Sequence, residues 1–432
     1  MNISDSERVA SVLENLKYES TPDIKEADLV VVTMCSVRQT AVDRVHGLIP
    51  KFKEIKKINK NLKTILTGCV LKKDKKIFTK NFDCVIDTKD IKKLPKILRT
   101  DLVQKVRYRV LFAPGSYLDI TPKYSNKFSA NMPIMTGCNN FCSYCVVPYA
   151  REKEISRPAE EIVCEIKNLI KNNYKEIWLL GQNVNSYEDV SCMCDRTHKN
   201  IVINFPKLLK IINNIPGDFW IRFTSSHPKD FSEELIRTMA KCKKYKPYLN
   251  LPLQSGDDKI LKKMNRPYTA AQYKNLIKKI RKAMPDIALS TDIIVGFPGE
   301  TKKQFENTAK LFKDIKFDMA YINKYSPRSG TVAEKLKDNV SKEEKNRREK
   351  VLTEILKTTA LSHNKKIIGK EITVLIDSQK NNLLFGKSEQ YKTVKINIQH
   401  PTLKNRHLVG KFVKVKATDA LSWSLKGELI NE

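Results

Sequence analysis

The central half of the chain alternates strand-like and helix-like segments, and this rhythm limits the folds that the sequence can adopt. Apolar runs typical of parallel strands precede amphipathic helices such as the one predicted for 159–171, where Pro158 favours a helix start. The runs end just before Cys138, Gly181, Ser225, Gln254, Gly296 and Tyr325. Six such units are fewer than the eight of a complete barrel and predict a partial parallel barrel.

Polar side chains stand where these strands end. Barrel enzymes carry their chemistry at the carboxyl ends of the strands, so this is where we expect the site. The candidates are Cys138, Gln182, Asn183, Ser225, Ser226, His227, Gln254, Ser255, Gly296 and Tyr325. Structural roles remain open, because Gln182 and Asn183 could be satisfied loop amides, Gly296 could mark a turn, and His227 could hold a loop.

Three cysteines, Cys138, Cys142 and Cys145, lie in a C-x3-C-x2-C run. Thiolates are soft ligands, and most [4Fe–4S] clusters use four of them. A run that supplies three would leave one iron open, and an open position is typical of a catalytic metal site. The alternatives are a buried or disulfide-bonded cysteine group and a zinc site. Zinc usually takes two C-x2-C pairs, and no partner pair lies nearby.

The first hundred residues predict a second set of alternating helices and strands. Ser4 and Glu7 form the pattern of a capping box before a helix. The run 29–34 is typical of a parallel strand buried on both faces, and 64–67 predicts a shorter strand. Cys35 and Cys69 follow these runs, so the two cysteines could share a site at the sheet edge. They could equally be core residues.

The last part of the chain changes period. A charged helix is predicted from Lys342 to about Asn364, followed by alternating strands at 371–377, 392–399 and 412–418. These strands predict a small β-barrel that carries lysines 387, 392, 395, 411, 414 and 416. Such a surface suits an RNA backbone, although a merely solvated barrel face remains the alternative.

Composition narrows the class of partner. The 80 Lys and Arg against 48 Asp and Glu give a net charge of +32, which attracts polyanions such as RNA. Lysine is spread through the whole chain, so the excess could also reflect an AT-rich genome. No segment approaches the about 18 apolar residues of a membrane span, and the start lacks a signal sequence. Ten cysteines in such a chain indicate a reducing cytoplasm and metal chemistry.

These patterns define an α/β fold class with three predicted domains. They are an amino-terminal parallel α/β domain at 1–105, a central partial (β/α)6 barrel at 124–364 and a carboxyl-terminal β-barrel at 366–431. The stretch 100–123 contains Pro114, Gly115 and Pro122 and is predicted to be a linker.

The C-x3-C-x2-C run resembles the signature of the radical S-adenosylmethionine (SAM) enzymes, whose core is a six-unit barrel. The resemblance implies that Cys138, Cys142 and Cys145 hold a [4Fe–4S] cluster. In that superfamily the amino and carboxylate groups of SAM bind the open iron, and an electron from the cluster cleaves SAM to give a 5′-deoxyadenosyl radical. An external electron donor is then required.

The amino-terminal motifs Met1-Asn-x-x-Asp-Ser-Glu7, Thr33-Met-Cys-Ser-Val-Arg38 and Gly68-Cys-Val70 resemble those of the methylthiotransferases. That family binds a second [4Fe–4S] cluster in this domain on three cysteines, of which Cys35 and Cys69 match two. The family's first strand and first cysteine, in Gly-Cys-x-Met-Asn, have no counterpart here. We expect either a start codon placed too late or a truncated chain.

Further motifs resemble one branch of the family, the MiaB-type enzymes that methylthiolate carbon 2 of N6-isopentenyladenosine beside the tRNA anticodon, at position 37. They are Cys145-Val-Val-Pro-Tyr-Ala-Arg151, Gly181-Gln-Asn-Val-Asn185, Arg222-Phe-Thr-Ser-Ser-His-Pro228, Leu251-Pro-Leu-Gln-Ser-Gly256 and Gly296-Phe-Pro-Gly-Glu-Thr301. The resemblance implies that Gln182, Asn183, Ser225, Gln254 and Gly296 contact SAM or substrate. The branches acting on threonylcarbamoyladenosine or on a ribosomal-protein aspartate remain alternatives, as does an RNA-binding protein with a deficient second cluster.

Two details complete the resemblance. Gly386-Lys-Ser388 and Ser424-Leu-Lys-Gly-Glu428 resemble the TRAM domain, which implies tRNA as partner. We expect the enzyme to be a monomer. Glu152 stands where the family's Pro-Tyr-x-Arg-Gly motif has glycine, so a positive φ there would strain this chain. The remaining cysteines are predicted to be core residues (Cys84, Cys164 and Cys242) or part of a solvent-facing insertion (Cys192 and Cys194).

Overall fold

The fold was analysed on a computed structural model, which describes residues 1–102, 116–190, 202–397 and 405–430. The chain divides into two compact units. The first comprises Met1–Ser125, Asn131–Ile155 and Ser326–Glu334, and the second comprises Asn126–Ala130, Ser156–Tyr325 and Lys335–Glu432. Most of the predicted linker, including Pro114 and Gly115, lies outside the described residues. Its described end, 116–123, includes Tyr117 and Leu118, which are buried in the core of the first unit.

The amino-terminal part of the first unit is a three-stranded parallel sheet with helices between its strands. Its strand order is β1-β2-β3, and Cys35 lies opposite Cys69 in the register of β1 and β2. The elements are α1 (Asn2–Asn15), β1 (Leu29–Cys35), α2 (Gln39–Ile58), β2 (Lys63–Cys69), α3 (Lys72–Phe78), β3 (Cys84–Val85) and α4 (Leu94–Leu102). Both predicted strands are therefore present, and each ends on its cysteine.

Apolar side chains cover both faces of this sheet. Ile65 and Leu66 are neighbours in β2 and belong to different core clusters, because successive side chains of a strand point to opposite faces. The expectation that β1 is buried on both faces holds in part, because Leu29 and Val31 pack against one core cluster and Val30 and Val32 against the other, but these four side chains are only half-buried. Met34 is its one buried residue, since β1 lies at the end of the sheet and lacks a second neighbour among the described strands.

The predicted capping box is also wrong. Helix α1 begins at Asn2 with Met1 as its N-cap, so Ser4 and Glu7 lie inside the helix. The Ser4 hydroxyl accepts a hydrogen bond from Arg8, and the Glu7 carboxylate accepts bonds from the Ser125 N–H (2.9 Å) and hydroxyl (2.7 Å). Glu7 thus holds a distant segment instead of the start of its own helix.

The central part forms the predicted βα series. Its elements are β4 (Ser129–Pro133), β5 (Met135–Thr136), α5 (Val147–Arg151), β6 (Ile155–Ser156), α6 (Ala159–Lys171), β7 (Glu176–Leu180), β8 (Glu188–Asp189), β9 (Ile203–Asn204), α7 (Phe205–Asn213), β10 (Trp220–Phe223), α8 (Glu233–Lys241), β11 (Tyr248–Asn250), α9 (Asp258–Lys263), α10 (Ala270–Ala283), β12 (Ala288–Val295), α11 (Lys302–Ile315), β13 (Met319–Lys324) and α12 (Lys342–Lys365).

Six of these strands are arranged as a partial barrel. They form two three-stranded sheets, ordered β10-β7-β4 and β11-β12-β13, and a parallel bridge from Ile221 to Tyr245 continues the pairing next to β10. Strand β10 pairs in parallel with β7, and β12 pairs in parallel with both β11 and β13. Helix α6 has the predicted bounds and buries Ile162, Ile166 and Leu169. The mixed α/β fold with a partial barrel is therefore confirmed.

The carboxyl-terminal segment of the second unit is a closed five-stranded barrel. Its strands are β14 (Glu371–Lys380), β15 (Leu383–Ser388), β16 (Thr393–Asn397), β17 (Phe412–Ala420) and β18 (Ser424–Leu429), ordered β14-β15-β16-β18-β17. Alternate residues such as Val374, Val394 and Val415 fill its core. Lys411, Lys414 and Lys416 are exposed, whereas lysines 387, 392 and 395 are half-buried.

Buried polar side chains fasten this small barrel to the βα strands inside the second unit. Arg222 of β10 pairs with Glu176 (2.7 Å) and donates to the backbone carbonyls of Ser388 (2.8 Å) and Glu389 (2.7 Å). Its guanidinium also lies over the ring of Tyr391. None of the described helices combines the length and the apolar character needed to cross a membrane.

Candidate functional site

The cysteine run forms a loop of the first unit between β5 and α5. Cys138 and Cys142 are buried and Cys145 is half-buried. The Cys145 N–H donates to the Cys142 carbonyl (2.9 Å), and the Cys138 N–H donates to the carbonyl of Glu152 (3.2 Å). Burial raises the pKa of the Cys138 thiol, and hydrogen bonds from Asn140 offset part of that rise. The loop is thus folded back on itself and tied to the end of α5.

The donor set of this loop fits an iron–sulfur cluster better than a single ion. Across the described residues, no three His, Cys, Asp or Glu side chains converge to hold one metal ion. A [4Fe–4S] cluster asks for a different arrangement, because each thiolate binds its own iron at a different corner. Soft sulfur donors carried on one short loop meet that requirement.

A second pair of cysteines, Cys35 and Cys69, lies at the carboxyl end of the amino-terminal sheet. They are register partners on β1 and β2, so their backbones are separated by one strand spacing, about 4.8 Å. Cys69 is buried and Cys35 is half-buried. Cys84 is remote, because it pairs with Ile65, four residues before Cys69 and thus about 13 Å along the strand.

Arg151 joins the two cysteine groups of the first unit. It is the last residue of α5, the helix that follows Cys145, and its Nε donates to the Cys69 sulfur at 3.0 Å. Its other nitrogens contact the carboxylate of Asp5 (2.5 Å) and the hydroxyl of Tyr117 (3.0 Å). Burial raises the pKa of the Cys69 thiol, and the positive charge of Arg151 opposes that rise.

Sequence reasoning missed this role of Arg151. In the sequence Arg151 stands only at the end of the motif Cys145-Val-Val-Pro-Tyr-Ala-Arg151, and no local pattern connects it to residue 5 or 69. The available signal was an arginine directly after a cysteine loop. If such an arginine is buried, its guanidinium needs a carboxylate partner from elsewhere in the chain.

The second unit gathers unpaired polar atoms at the carboxyl ends of its parallel strands. Five buried side-chain atoms there have no hydrogen-bond partner among the described residues: Gln182 Oε1, Asn183 Oδ1, Ser226 Oγ, His227 Nε2 and Gln254 Oε1. Buried polar groups are normally hydrogen-bonded, so a group of orphans on one rim indicates a place for a polar ligand.

The backbone is unusual at the same rim. Ser225, Gln254 and Gly296 each follow a strand and have φ of 66°, 69° and 69°. Left-handed backbone is costly for serine and glutamine, and such conformations cluster at functional sites. All three were predicted site residues, although neither serine nor glutamine is a residue type that indicates this conformation.

His227 is a neutral, partly satisfied ring. Burial, together with the charges of Arg266 and Lys229, lowers the pKa of His227 to about 2. Its Nδ1 accepts the Lys229 N–H (3.2 Å), and its backbone exchanges two hydrogen bonds with the Asn185 side chain. The ring therefore holds the loop, while Nε2 stays available for a ligand.

The predicted site residues thus fall into two groups, one in each unit. The five cysteines, Cys35, Cys69, Cys138, Cys142 and Cys145, belong to the first unit, and Gln182, Asn183, Ser225, Gln254 and Gly296 belong to the second. Among the other cysteines, Cys242 is buried and Cys84 packs against the core. Cys164 is exposed, so its assignment to the core is wrong. Cys192 and Cys194 lie outside the described residues.

Three protein-family models match the chain. Residues 132–312 match the Radical SAM superfamily, residues 1–90 match the Uncharacterized protein family UPF0004, and residues 365–430 match the TRAM domain. The fold and the cysteine loop therefore define a radical SAM enzyme, for which the superfamily implies one [4Fe–4S] cluster and SAM.

Curated relatives narrow the class. The tRNA-2-methylthio-N(6)-dimethylallyladenosine synthase of Clostridium novyi (strain NT) is 40% identical over 100% of this chain and 94% of its own length. The protein of the same name from Dictyoglomus thermophilum (strain ATCC 35947 / DSM 3960 / H-6-12) is also 40% identical, over 100% of this chain and 97% of its own. The chain belongs to this family of tRNA methylthiotransferases, which confirms the predicted family and the predicted transferase class.

A solved structure supports the fold. The radical S-adenosylmethionine methyltransferase TsrM from Kitasatospora setae, with cobalamin and a [4Fe-4S] cluster bound, has a TM-score of 0.53 at 14% identity. The match covers 77% of this chain and 70% of that chain. At this identity the likeness concerns the fold alone.

Proposed function

We propose that this enzyme adds a methylthio group to carbon 2 of N6-isopentenyladenosine at position 37 of tRNA. The observation that carries the proposal is the 40% identity to a synthase of that name over the whole chain. The TRAM match and the net charge of +32 are consistent with an RNA substrate.

We assign the cluster of the radical reaction to Cys138, Cys142 and Cys145. When bound, the cluster and SAM supply the radical that removes hydrogen from the adenine ring. The chain's part is to hold three irons and leave the fourth open, which three thiols on one loop can do. The burial of Cys138 and Cys142 limits the access of water to the cluster.

In the second unit, Gln182, Asn183, Ser225, Gln254 and Gly296 are proposed contacts for SAM or the nucleoside. The unpaired oxygens of Gln182, Asn183 and Gln254 can accept hydrogen bonds from an amino or hydroxyl group. The neutral ring of His227 can donate one from Nε2. These groups bind and orient, and none of them has to move a proton for a radical reaction.

Cys35 and Cys69 are proposed ligands of a second cluster that carries the transferred sulfur. Their register and the donation from Arg151 to Cys69 support the assignment, since hydrogen bonds to ligating sulfur tune such sites. The pair supplies two thiolates where the family uses three. Cys84 lies too far along the strand to be the third.

The remaining expectations join this proposal. We propose that the enzyme acts as a monomer in the cytoplasm and takes electrons from an external donor. We also propose that 1–105, 124–364 and 366–431 are its functional domains, with the last binding tRNA.

Anaerobic reconstitution tests both cluster assignments. Two [4Fe–4S] clusters correspond to about eight irons per chain, and one corresponds to about four. We expect about eight for the wild type and about four for both Cys142→Ala and Cys69→Ala. Cys164→Ala is the matched control, because Cys164 is exposed on α6 and should leave the iron count unchanged. A wild-type value of about four would refute the second cluster and leave the first.

Nucleoside mass spectrometry of tRNA incubated with the loaded enzyme tests the reaction. We expect 2-methylthio-N6-isopentenyladenosine from the wild type and from Cys164→Ala, and none from Cys142→Ala. A methylthiolated threonylcarbamoyladenosine or ribosomal peptide would place the chain in another branch. Product from Cys142→Ala would refute the radical mechanism, and binding of tRNA without any product would indicate an RNA-binding protein.

A further inference from the structure

The second unit contains a cavity that is separate from the rim carrying the proposed SAM contacts. It has a volume of about 240 Å³ and lies where the small barrel meets the βα strands. Its lining includes Tyr248, Ala288 and Met319, which are the first residues of β11, β12 and β13. The cavity is therefore at the amino ends of these strands, whereas Gln254 and Gly296 follow their carboxyl ends.

Aromatic rings form much of the wall. Tyr248 and Tyr391 are packed together with ring centroids 4.9 Å apart and make a fixed inner surface. Tyr321 and Trp423 also line the cavity and are 42% and 44% exposed. Large exposed rings beside a fixed aromatic wall provide stacking surfaces for a planar ligand.

Polar groups in the wall add a specific requirement. Asn364 lines the cavity, is only 3% exposed, and donates through Nδ2 to the backbone carbonyls of Leu421 and Ser422. Its Oδ1 is buried and has no hydrogen-bond partner among the described residues. A ligand that offers an N–H, such as the exocyclic amine of a base, would satisfy this acceptor.

A cation completes the set. Lys387 Nζ donates to the Thr393 hydroxyl (2.7 Å) and lies 5.0 Å from the centre of the Tyr391 ring. Burial lowers the pKa of Lys387, and the charges of Asp377 and Glu176 oppose that shift, as an anion bound beside Nζ also would. The second lysine in the wall, Lys392, is already paired with Asp318 at 2.7 Å. The hydrogen bond of Lys387 goes to a neutral hydroxyl, so its charge suits a single phosphate.

We propose that this cavity binds one unpaired nucleotide of the RNA substrate, with the base against Tyr321 or Trp423 and the phosphate near Lys387. The volume is below the about 300–1,000 Å³ of sites for drug-sized ligands, so it favours one base over a whole cofactor. We assign this nucleotide to RNA because part of the cavity wall belongs to the TRAM-matching barrel and because the chain is strongly basic. The inference rests on the proposed function, whose substrate is tRNA.

The test is equilibrium binding of a fluorescein-labelled tRNA transcript to the anaerobically reconstituted full chain. Loss of one stacked base corresponds to about 5- to 150-fold weaker binding, which we expect for Tyr321→Ala and Trp423→Ala. The dependence of log Kd on log salt should stay unchanged, because neither variant removes a charge. Both side chains are over 40% exposed, so thermal melts should differ little from wild type.

Leu421→Ala is the matched control. Leu421 is 43% exposed in the same β17–β18 connection as Trp423 but does not line the cavity. Wild-type affinity in Tyr321→Ala and Trp423→Ala, or an equal loss in Leu421→Ala, would overturn the proposal. AMP that binds the chain as tightly as the transcript, and only when Trp423 is present, would assign the cavity to a free nucleotide instead.

The same samples separate this inference from the proposed function. Methylthio product is measured independently by nucleoside mass spectrometry on modified tRNA. Absence of product from a wild type whose tRNA binding depends on Trp423 would refute the proposed reaction and leave the nucleotide site standing. Product formation by an enzyme whose tRNA binding does not depend on Trp423 would refute the nucleotide site and leave the proposed reaction standing.

Discussion

Replacing Glu152 with glycine should stabilise the first unit, although it removes an ion pair. Glu152 has φ of 63° and ψ of −157°, a region that essentially only glycine occupies without strain. The family motif has glycine at this position, so the sequence predicts strain in this chain if the position requires a positive φ. The structure has that positive φ. The strained residue also presents its carbonyl to the N–H of Cys138 at 3.2 Å, so the strain lies beside the cysteine loop.

The magnitude follows from three contributions. A non-glycine residue in such a conformation costs about 1–3 kcal/mol. Relieving this strain with glycine should therefore stabilise the fold, but the larger entropy of the unfolded glycine chain offsets about 0.5–1 kcal/mol of the gain. The ion pair from Glu152 to Lys89 is exposed on both sides and contributes little. We therefore expect Glu152→Gly to raise the free energy of unfolding by about 1 kcal/mol.

Urea unfolding and thermal melting of the cluster-free chain measure this change. A gain of about 1 kcal/mol corresponds to a rise of about 2–4 °C in Tm for about 150–250 residues. Glu152→Ala is the matched control, because it removes the ion pair and keeps the strained φ, and it should be no more stable than wild type. If Glu152→Gly is less stable than wild type, or if Glu152→Ala gains as much, backbone strain is not the cause.

Three further changes test other parts of the structure. Arg151→Met should lower the free energy of unfolding by about 3–5 kcal/mol, because it leaves the buried Asp5 carboxylate unpaired, and adding Asp5→Asn should recover part of the loss in urea unfolding. Burial favours protonation of Asp318, but the His363 hydrogen bond and a neighbouring lysine outweigh it and hold the pKa at about 2. Its stabilisation, about 2 kcal/mol, is present above about pH 4 and lost toward pH 2, so Asp318→Asn should flatten the pH dependence of unfolding in that window. Gly296→Ala should lower Tm, because its φ is 69° and left-handed backbone costs an alanine about 1–2 kcal/mol. An unchanged free energy of unfolding for Arg151→Met, an unchanged pH dependence for Asp318→Asn or an unchanged Tm for Gly296→Ala would contradict the corresponding argument.

Local patterns in the sequence predicted the bounds of helices and strands better than they predicted which of their faces are buried. The bounds of α6 and the ends of β1 and β2 at Cys35 and Cys69 follow from periodicity, since both are decided by neighbouring residues. The incomplete burial of β1 did not follow, because it depends on whether a further strand pairs with its edge. Cys164 was misassigned for a similar reason, since a helical pattern does not show which face meets a partner.

The candidate site divides in the same way. The cysteine loop could be predicted from spacing alone, because one short segment supplies three ligands. The contact from Arg151 to Cys69 could not, because it joins residues 82 positions apart. The left-handed backbone of Ser225 and Gln254 was equally hidden, since neither residue type favours it and only the surrounding barrel imposes it.

The network around Arg151 also bears on the order in which the chain can mature. Its contact with Asp5 spans 146 residues, so the amino-terminal sheet reaches the ribosome exit well before its buried countercharge exists. At about 5–20 residues per second, Arg151 follows Asp5 by about 7 to 30 seconds and follows Cys69, 82 residues before it, by about 4 to 16 seconds. Contacts that distant in sequence are also slow to close. Sulfur and iron delivered to Cys35 and Cys69 during that interval would meet a site whose guanidinium has not arrived, so loading at this sheet should follow, and not accompany, synthesis of the cysteine loop.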